Sequence, residues 1–186
     1  MTQEKTSELN PGISYLSHIR KDVLKIHPRF FLSSCLHLLA MFVPFLRLRL
    51  SLYRLRGTTI EKNVYIGPLV FLEEIYPELI IIKEHCTIGP RVMMITHHSI
   101  FHHVDPKAPA YTAPVIIGKN CYIGSETIIF PGVTIGDDTI IGVGSVVTRS
   151  IPSGSVAMGV PARVTCTRDE WLRNHAMNGS ETIYEE

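Results

Sequence analysis

The sequence predicts an all-β solenoid, with an α-helical extension before it and a short helix after it, and three observations lead there. One apolar residue returns every six positions through Ile117, Ile123, Ile129, Ile135, Ile141 and Val147. Four positions after each of the first five stands a small or β-branched residue: Cys121, Thr127, Val133, Thr139, Ser145. A glycine directly follows four of the apolar residues, at Gly118, Gly124, Gly136 and Gly142. Neither a helix, with period 3.6, nor a flat strand, with period 2, requires a six-residue beat, so the period itself signals a repeat architecture. Each hexad reads as one short strand on one face of a triangular coil. The aliphatic residue points inward, the small residue fits the tight inner side near the corner, and the glycine lets the backbone turn or approach closely.

Composition sets the outer limits. With 186 residues, 45% of them hydrophobic, the chain can form one domain with a real core plus a modest extension. Eighteen Lys and Arg against seventeen Asp and Glu leave +1, which argues against a general nucleic-acid binder. Cys35, Cys86, Cys121 and Cys166 are far apart with no CxxC pair, so neither a disulfide scaffold nor a Cys-type zinc site is expected. Cys86 and Cys121 fall on the small inward position, where a thiol behaves as a small hydrophobe. The opening MTQEKTSELNPG is polar and has no signal-peptide core, and the expected location is cytoplasmic.

The elements follow in order. Residues 1–57 read as a helical extension, 58–166 as the solenoid with a loop inserted at 96–114, and 167–186 as a short helix and tail. After a loosely attached lead, Leu16, Ile19, Val23 and Ile26 recur at helical steps over Tyr15 to His27, ahead of Pro28. Between Arg29 and Arg47 no residue carries a formal charge, and Arg47, Arg49, Arg54 and Arg56 follow. Two readings of residues 29–56 compete. One is an interfacial helix at the cytoplasmic face of a membrane, with the arginines on headgroups; the other is a helix pair packed on the solenoid end or on another subunit.

From Thr59 the beat runs through Ile60, Ile66 and Leu72, with Val64 and Val70 inward. IYPEL shifts the phase, and Ile82, Ile88 and Met94 resume it with Cys86 and Val92 inside. It stops at Thr96 and restarts at Ile117. The His- and Pro-rich segment between them has no structural role in a solenoid, which points to function. Pro152, Gly154, Gly159 and Pro161 close the final coil, and Arg168 to Met177 reads as a helix covering the open end.

The stretch IGSETIIFPGVTIGDDTIIGVGSVVTRSIPSGSVAMGVPARV, together with IYPELIIIKEHCTIGPRVMMITHH, resembles the hexapeptide-repeat acyltransferases, and within them the galactoside and maltose O-acetyltransferase branch. The likeness covers about residues 58 to 166 and leaves out the N-terminal extension. It implies a left-handed parallel β-helix, a homotrimer with active sites between subunits, and acetyl-CoA as co-substrate for an O-acetyltransferase. The base that the resemblance implies is a His just after the strand entering the loop, matched by Thr96-His97-His98. His97 is favoured because it directly follows the Thr and stays near the solenoid wall, with His98 the alternative. Imidazole suits the task because its unperturbed pKa lies near working pH. No nucleophile elbow and no loop Cys point to a covalent acyl-enzyme.

The same match places Ser125, Val143, Thr148, Arg149 and Arg163 along the coenzyme A groove. Where relatives carry a further basic residue three positions after Arg163 this chain has Cys166, with Arg168 two beyond. The expected acceptor is a sugar, free or on a polysaccharide, and His102, Asp105 and Tyr111 are its candidate contacts; chloramphenicol-like or streptogramin-like antibiotics and serine are alternatives. No resident metal is expected. Two rival functions share the solenoid. The pairs His97/His102 and His98/His103 would suit a carbonic anhydrase-like metal site if a third His joined them, but His85 sits on an unsuitable phase. A non-catalytic scaffold is the other.

Overall fold

The computed structural model describes residues 28–100, 104, 105 and 111–178. The helix expected over Tyr15 to His27, and His102, lie outside them. Helix α1 (Pro28–Phe42) begins on a proline, whose missing N–H is no loss in a first turn, and Pro44 separates it from α2 (Leu46–Leu55). Three strands then make each coil: β1 (Thr59–Ile60), β2 (Tyr65–Ile66) and β3 (Phe71–Leu72) in the first, β4 (Ile80–Ile82), β5 (Thr87–Ile88) and β6 (Met93–Met94) in the second. A side excursion carries β7 (His97–His98) and β8 (Tyr111–Thr112). The third coil is β9 (Val115–Ile117), β10 (Tyr122–Ile123) and β11 (Ile128–Ile129), and the fourth β12 (Thr134–Ile135), β13 (Ile140–Ile141) and β14 (Val146–Val147). β15 (Ser155–Met158), β16 (Arg163–Thr167) and α3 (Arg168–Asn178) complete the chain.

Three parallel sheets form the three sides. The first face is β1-β4-β9-β12, the second runs β2-β5-β10-β13-β15 with β16 antiparallel at its end, and the third is β3-β6-β11-β14. Register stacks inward residue on inward residue, as in Ile60, Ile82, Ile117 and Ile135 on the first face. All the residues of the six-residue beat from Ile117 to Val147 are fully buried, and Cys121, Thr127, Val133, Thr139 and Ser145 lie inside with them. Glycines after the beat serve approach between coils and not turning: a Cβ on Gly124 would come within 2.5 Å of Val143 N, and one on Gly136 within 2.4 Å of Ser153 N. Turning belongs to the residue before each inward small one, such as Asn120 (φ 56), Glu126 (φ 62) and Asp138 (φ 58).

Along the strands, N–H groups of one coil donate to carbonyls of the next, as Gly67 N to Ile88 O and Gly89 N to Ile123 O. The first coil therefore has carbonyls with no preceding coil to satisfy them. Side chains of α2 and of Arg56, its C-cap, supply the donors on all three faces: Arg54 Nε to Ile60 O (2.9 Å), Arg49 Nη1 to Ile66 O (2.7 Å) and Arg56 Nη1 to Leu72 O (3.1 Å). Tyr53 adds its hydroxyl to Val70 O at 2.6 Å. This rules out headgroup contact for Arg49 and Arg56, which are buried caps of the ladder, while Arg47 and Arg54 stay exposed. Of the two readings of residues 29–56, the helix pair packed on the solenoid end describes α2. At the other end α3 forms where expected, but it lies along the side of the second face, with Arg168 Nη1 2.6 Å from Asp138 Oδ1, and not across the open end.

Candidate active site

Both interruptions of the repeat leave the prism at one edge, between the third and first faces. The IYPEL shift there forms a short 3-10 helix, Pro77–Leu79, and the longer excursion carries β7 and β8. Glu73 follows the last inward residue of coil one, and its N–H donates to Met94 O, which seats it above Ile95 and Thr96 of coil two. Its carboxylate is buried and collects four donors. Oε1 accepts from Glu74 N (2.8 Å) and Ile75 N (3.0 Å), Oε2 from Thr96 N (2.9 Å) and His97 Nδ1 (2.9 Å). Burial pushes its pKa up, but hydrogen bonds from His97, Ile75 and Thr96 prevail and hold it at about 2. Arg56 secures the backbone behind it, with Nη2 2.8 Å from Glu73 O.

His97 gains the complementary shift: the Glu73 hydrogen bond raises its pKa against the opposing effect of burial. An ionised carboxylate can only accept, so Nδ1 carries the proton and Nε2 keeps its lone pair. The ring is half-buried, and Tyr76 meets it edge-on at 5.8 Å. His98, next in the two-residue strand, projects to the opposite side and stacks on Tyr111 at 5.2 Å. The pair is thus separated: one imidazole is tied to a carboxylate, the other to an aromatic ring. Tyr111 extends over coil three, where a Cβ on Gly132 would lie 2.8 Å from its Oη.

The remaining expected residues flank the third face. Thr148 and Arg149, both exposed, continue the His97 edge two rungs along, about 10 Å by strand spacing. Ser125 and Val143 stack on the opposite edge, where Gly144 N donates to Ser125 O at 2.9 Å. Arg163 follows Ala162, whose N–H donates to Val146 O at the end of that face. Arg168 is turned away to Asp138. Asp105 is exposed on the excursion. Sequence reasoning missed Glu73, Tyr76 and Arg56; a register-aware reading would have found Glu73, an acid placed in coil one directly over the Thr-His pair. Among the described residues no group of three or more His, Cys, Asp or Glu is placed to hold a metal ion. A separate groove of about 510 Å³ lies between α3 and the second face, lined by Tyr122, Ile140, Met158, Trp171 and Leu172, with Val143 at its rim.

Residues 114–149 match the family described as hexapeptide repeat of succinyl-transferase. Galactoside O-acetyltransferase of Escherichia coli (strain K12) is 45% identical over 84 residues, 45% of this chain and 41% of that protein. This chain therefore aligns with less than half the length of that relative. The putative colanic acid biosynthesis acetyltransferase WcaF of the same organism is 32% identical over 142 residues, 67% of this chain and 77% of that one. Among solved structures, a galactoside acetyltransferase in complex with coenzyme A superposes with a TM-score of 0.63 at 26% identity, over 86% of each chain. A maltose O-acetyltransferase from Clostridium difficile 630 gives 0.53 at 28% identity, over 73% of this chain and 83% of that one. The left-handed parallel β-helix of these neighbours is the fold described above.

Proposed function

The chain belongs to the hexapeptide-repeat acetyltransferases of the galactoside and maltose O-acetyltransferase type, and from that premise we propose that it moves an acetyl group from acetyl-CoA directly onto a sugar hydroxyl, with His97 as general base. The observation that carries this reading is the 2.9 Å bond from His97 Nδ1 to the buried carboxylate of Glu73. It fixes the tautomer that leaves Nε2 as acceptor, and it stabilises the imidazolium once a proton arrives.

In this mechanism Nε2 takes the hydroxyl proton as the oxygen attacks the thioester carbonyl. Collapse of the tetrahedral intermediate breaks the carbon–sulfur bond, and the imidazolium returns the proton to the departing thiolate. Both substrates are bound together and no acyl-enzyme forms. Glu73 stays ionised throughout and acts as a positioning residue. His98, with its ring against Tyr111, is the weaker candidate for base.

Acetyl-CoA lies along the third face, between the Ser125/Val143 edge and the Thr148/Arg149 edge, with Arg149 and Arg163 meeting its phosphates through charge-assisted hydrogen bonds. Arg168 is committed to Asp138, so it does not replace the base missing at Cys166. Tyr111, Asp105 and His102 contact the acceptor. The active form is a homotrimer in the cytoplasm, with the third face of each copy closed by a neighbour. No helix among the described residues is long and apolar enough to cross a membrane.

Release of free thiol from acetyl-CoA against a panel of sugars, chloramphenicol, a streptogramin and serine tests the reading. We expect turnover with a sugar hydroxyl and its collapse in His97→Gln. Equal rates in the variant and the parent protein would overturn it. Light scattering should return three times the chain mass.

A further inference from the structure

Helix α1 presents a broad apolar surface to solvent. Phe31, Leu32, Leu38, Leu39 and Phe42 are exposed on it, as are Phe45 in the turn and Leu48 and Leu55 on α2. Positions 31, 32, 38, 39 and 42 fall on one side of a helix, so the patch is a stripe and not scattered singles. The other side is spoken for: His37 is buried 4.8 Å from the Phe71 ring, and Ser34 Oγ donates to Glu74 Oε1 at 2.8 Å. Residues 28–60 contain no Asp or Glu, and Arg47 and Arg54 are exposed on α2.

We propose that the exposed stripe of α1 and the turn after it is a docking surface for an anionic lipid bilayer, on which the helix lies in the plane of the interface. A fifteen-residue helix spans about 22 Å, too short to cross the hydrocarbon layer, but long enough to bury an apolar side at headgroup depth. A second copy of this chain would bring no acid from residues 28–60 to match the basic ones. Anionic headgroups supply the missing sign.

Docking also has a direction. Ser33 O accepts from Arg56 Nε at 3.1 Å, and Arg56 and Ser34 hold the backbone and side chain of Glu73 and Glu74. The edge that carries His97 is thus one coil, about 5 Å by strand spacing, from residues bonded to the docking helix. If the acetyl-transfer reading above holds, the acceptor hydroxyl belongs to a molecule carried at the bilayer surface.

Sedimentation of the full chain with phosphatidylcholine vesicles, with and without phosphatidylglycerol, tests this. We expect binding to the anionic vesicles that weakens with added salt, and a loss of at least about tenfold in the variant Leu38→Glu/Phe42→Glu/Phe45→Glu, whose three sites are exposed and leave the core intact. Protein that stays in the supernatant, equal binding by the variant, or a variant whose mass by light scattering differs from the parent's overturns the proposal; the last result assigns the stripe to a second copy. Thiol release with a soluble acceptor is read on the same samples, and His97→Gln is carried beside them. A His97→Gln protein that still binds vesicles separates the docking claim from the chemistry, so either can fail alone.

Discussion

The two halves of the solenoid solve the same packing problem with different chemistry. In coils three and four every inward polar group is a neutral hydroxyl or thiol bonded to a nearby carbonyl, as Ser145 Oγ to Gly142 O (2.6 Å), Thr139 Oγ1 to Pro152 O (3.2 Å) and Cys121 Sγ to Gly136 O (3.1 Å). Around coils one and two, buried ionisable groups accumulate: Glu73 in coil one, Arg49 and Arg56 on and just after α2, and, on α1, His37, whose burial pushes its pKa down to about 4. Uninterrupted hexads pair backbone groups with the coils on either side, so nothing there needs a charge. The first coil has a raw ladder end and the second has a broken edge. Charged donors and acceptors are recruited at both, and the reactive dyad arises where they meet.

The sharpest way to break this contrast is at His97. His97→Ala should lower kcat/KM about 10²- to 10⁴-fold and, by leaving the buried Glu73 carboxylate short of a donor, cost about 1–3 kcal/mol of stability, whereas His98→Ala should cost far less activity. Comparable losses from both would end the distinction between the carboxylate-bound ring and the stacked one. In the regular half the opposite pattern is expected. Ile129→Ala, fully buried in coil three, should cost about 2–5 kcal/mol in denaturant unfolding while the folded fraction keeps its turnover.

Glu73→Gln sits between these extremes and reports on both halves of the argument. It should leave a buried site short of a charge-assisted bond, at about 1–3 kcal/mol of stability, and slow turnover. Its pH behaviour is the finer readout. The base works neutral, and His97 in the intact dyad titrates above the ordinary histidine value, so rate should climb with pH through that raised value; in Glu73→Gln the climb should move to lower pH. For stability the signs differ. Glu73, depressed to about 2, contributes fully above the ordinary carboxylate range and loses its contribution as pH falls toward 2. His97, raised, contributes below the ordinary histidine value and loses its contribution as pH climbs through the folded one. A stability profile of Glu73→Gln with the same pH slopes as the parent would contradict the dyad. The smallest expected effect is Arg149→Ala, which should raise KM for acetyl-CoA about tenfold and leave kcat nearly alone.

Legibility followed the same division. The six-residue beat identified Ile117 through Val147 as inward because a strict period leaves one phase per face, and the structure buries every one of them. For Arg49 and Arg56 the sequence leaves two readings open for a physical reason: after an apolar run, cations read equally as a polar flank, and nothing local reveals that the coil ahead has unpaired carbonyls. Glu73 escaped notice because its partner His97 lies twenty-four residues along, one coil further on, and no local pattern marks the pairing. Of the two roles expected for the glycines after the beat, turning or close approach, the structure shows the approach; the corners use Asn120, Glu126, Asp138, Gly132 and Gly144 in left-handed geometry, which Gly and the short polar Asn and Asp tolerate and for which the structure offers no such account at Glu126.

Because the 3-10 insertion and the β7–β8 excursion leave by the same edge, the other two edges carry an unbroken rail of interlocked backbone. Length and composition along the open edge can then drift between descendants of one ancestor without disturbing a single rung elsewhere. Acceptor preference in such a molecule is free to diversify while its thermal endurance stays put, and grafting residues 99–110 between relatives should transplant the former and spare the latter.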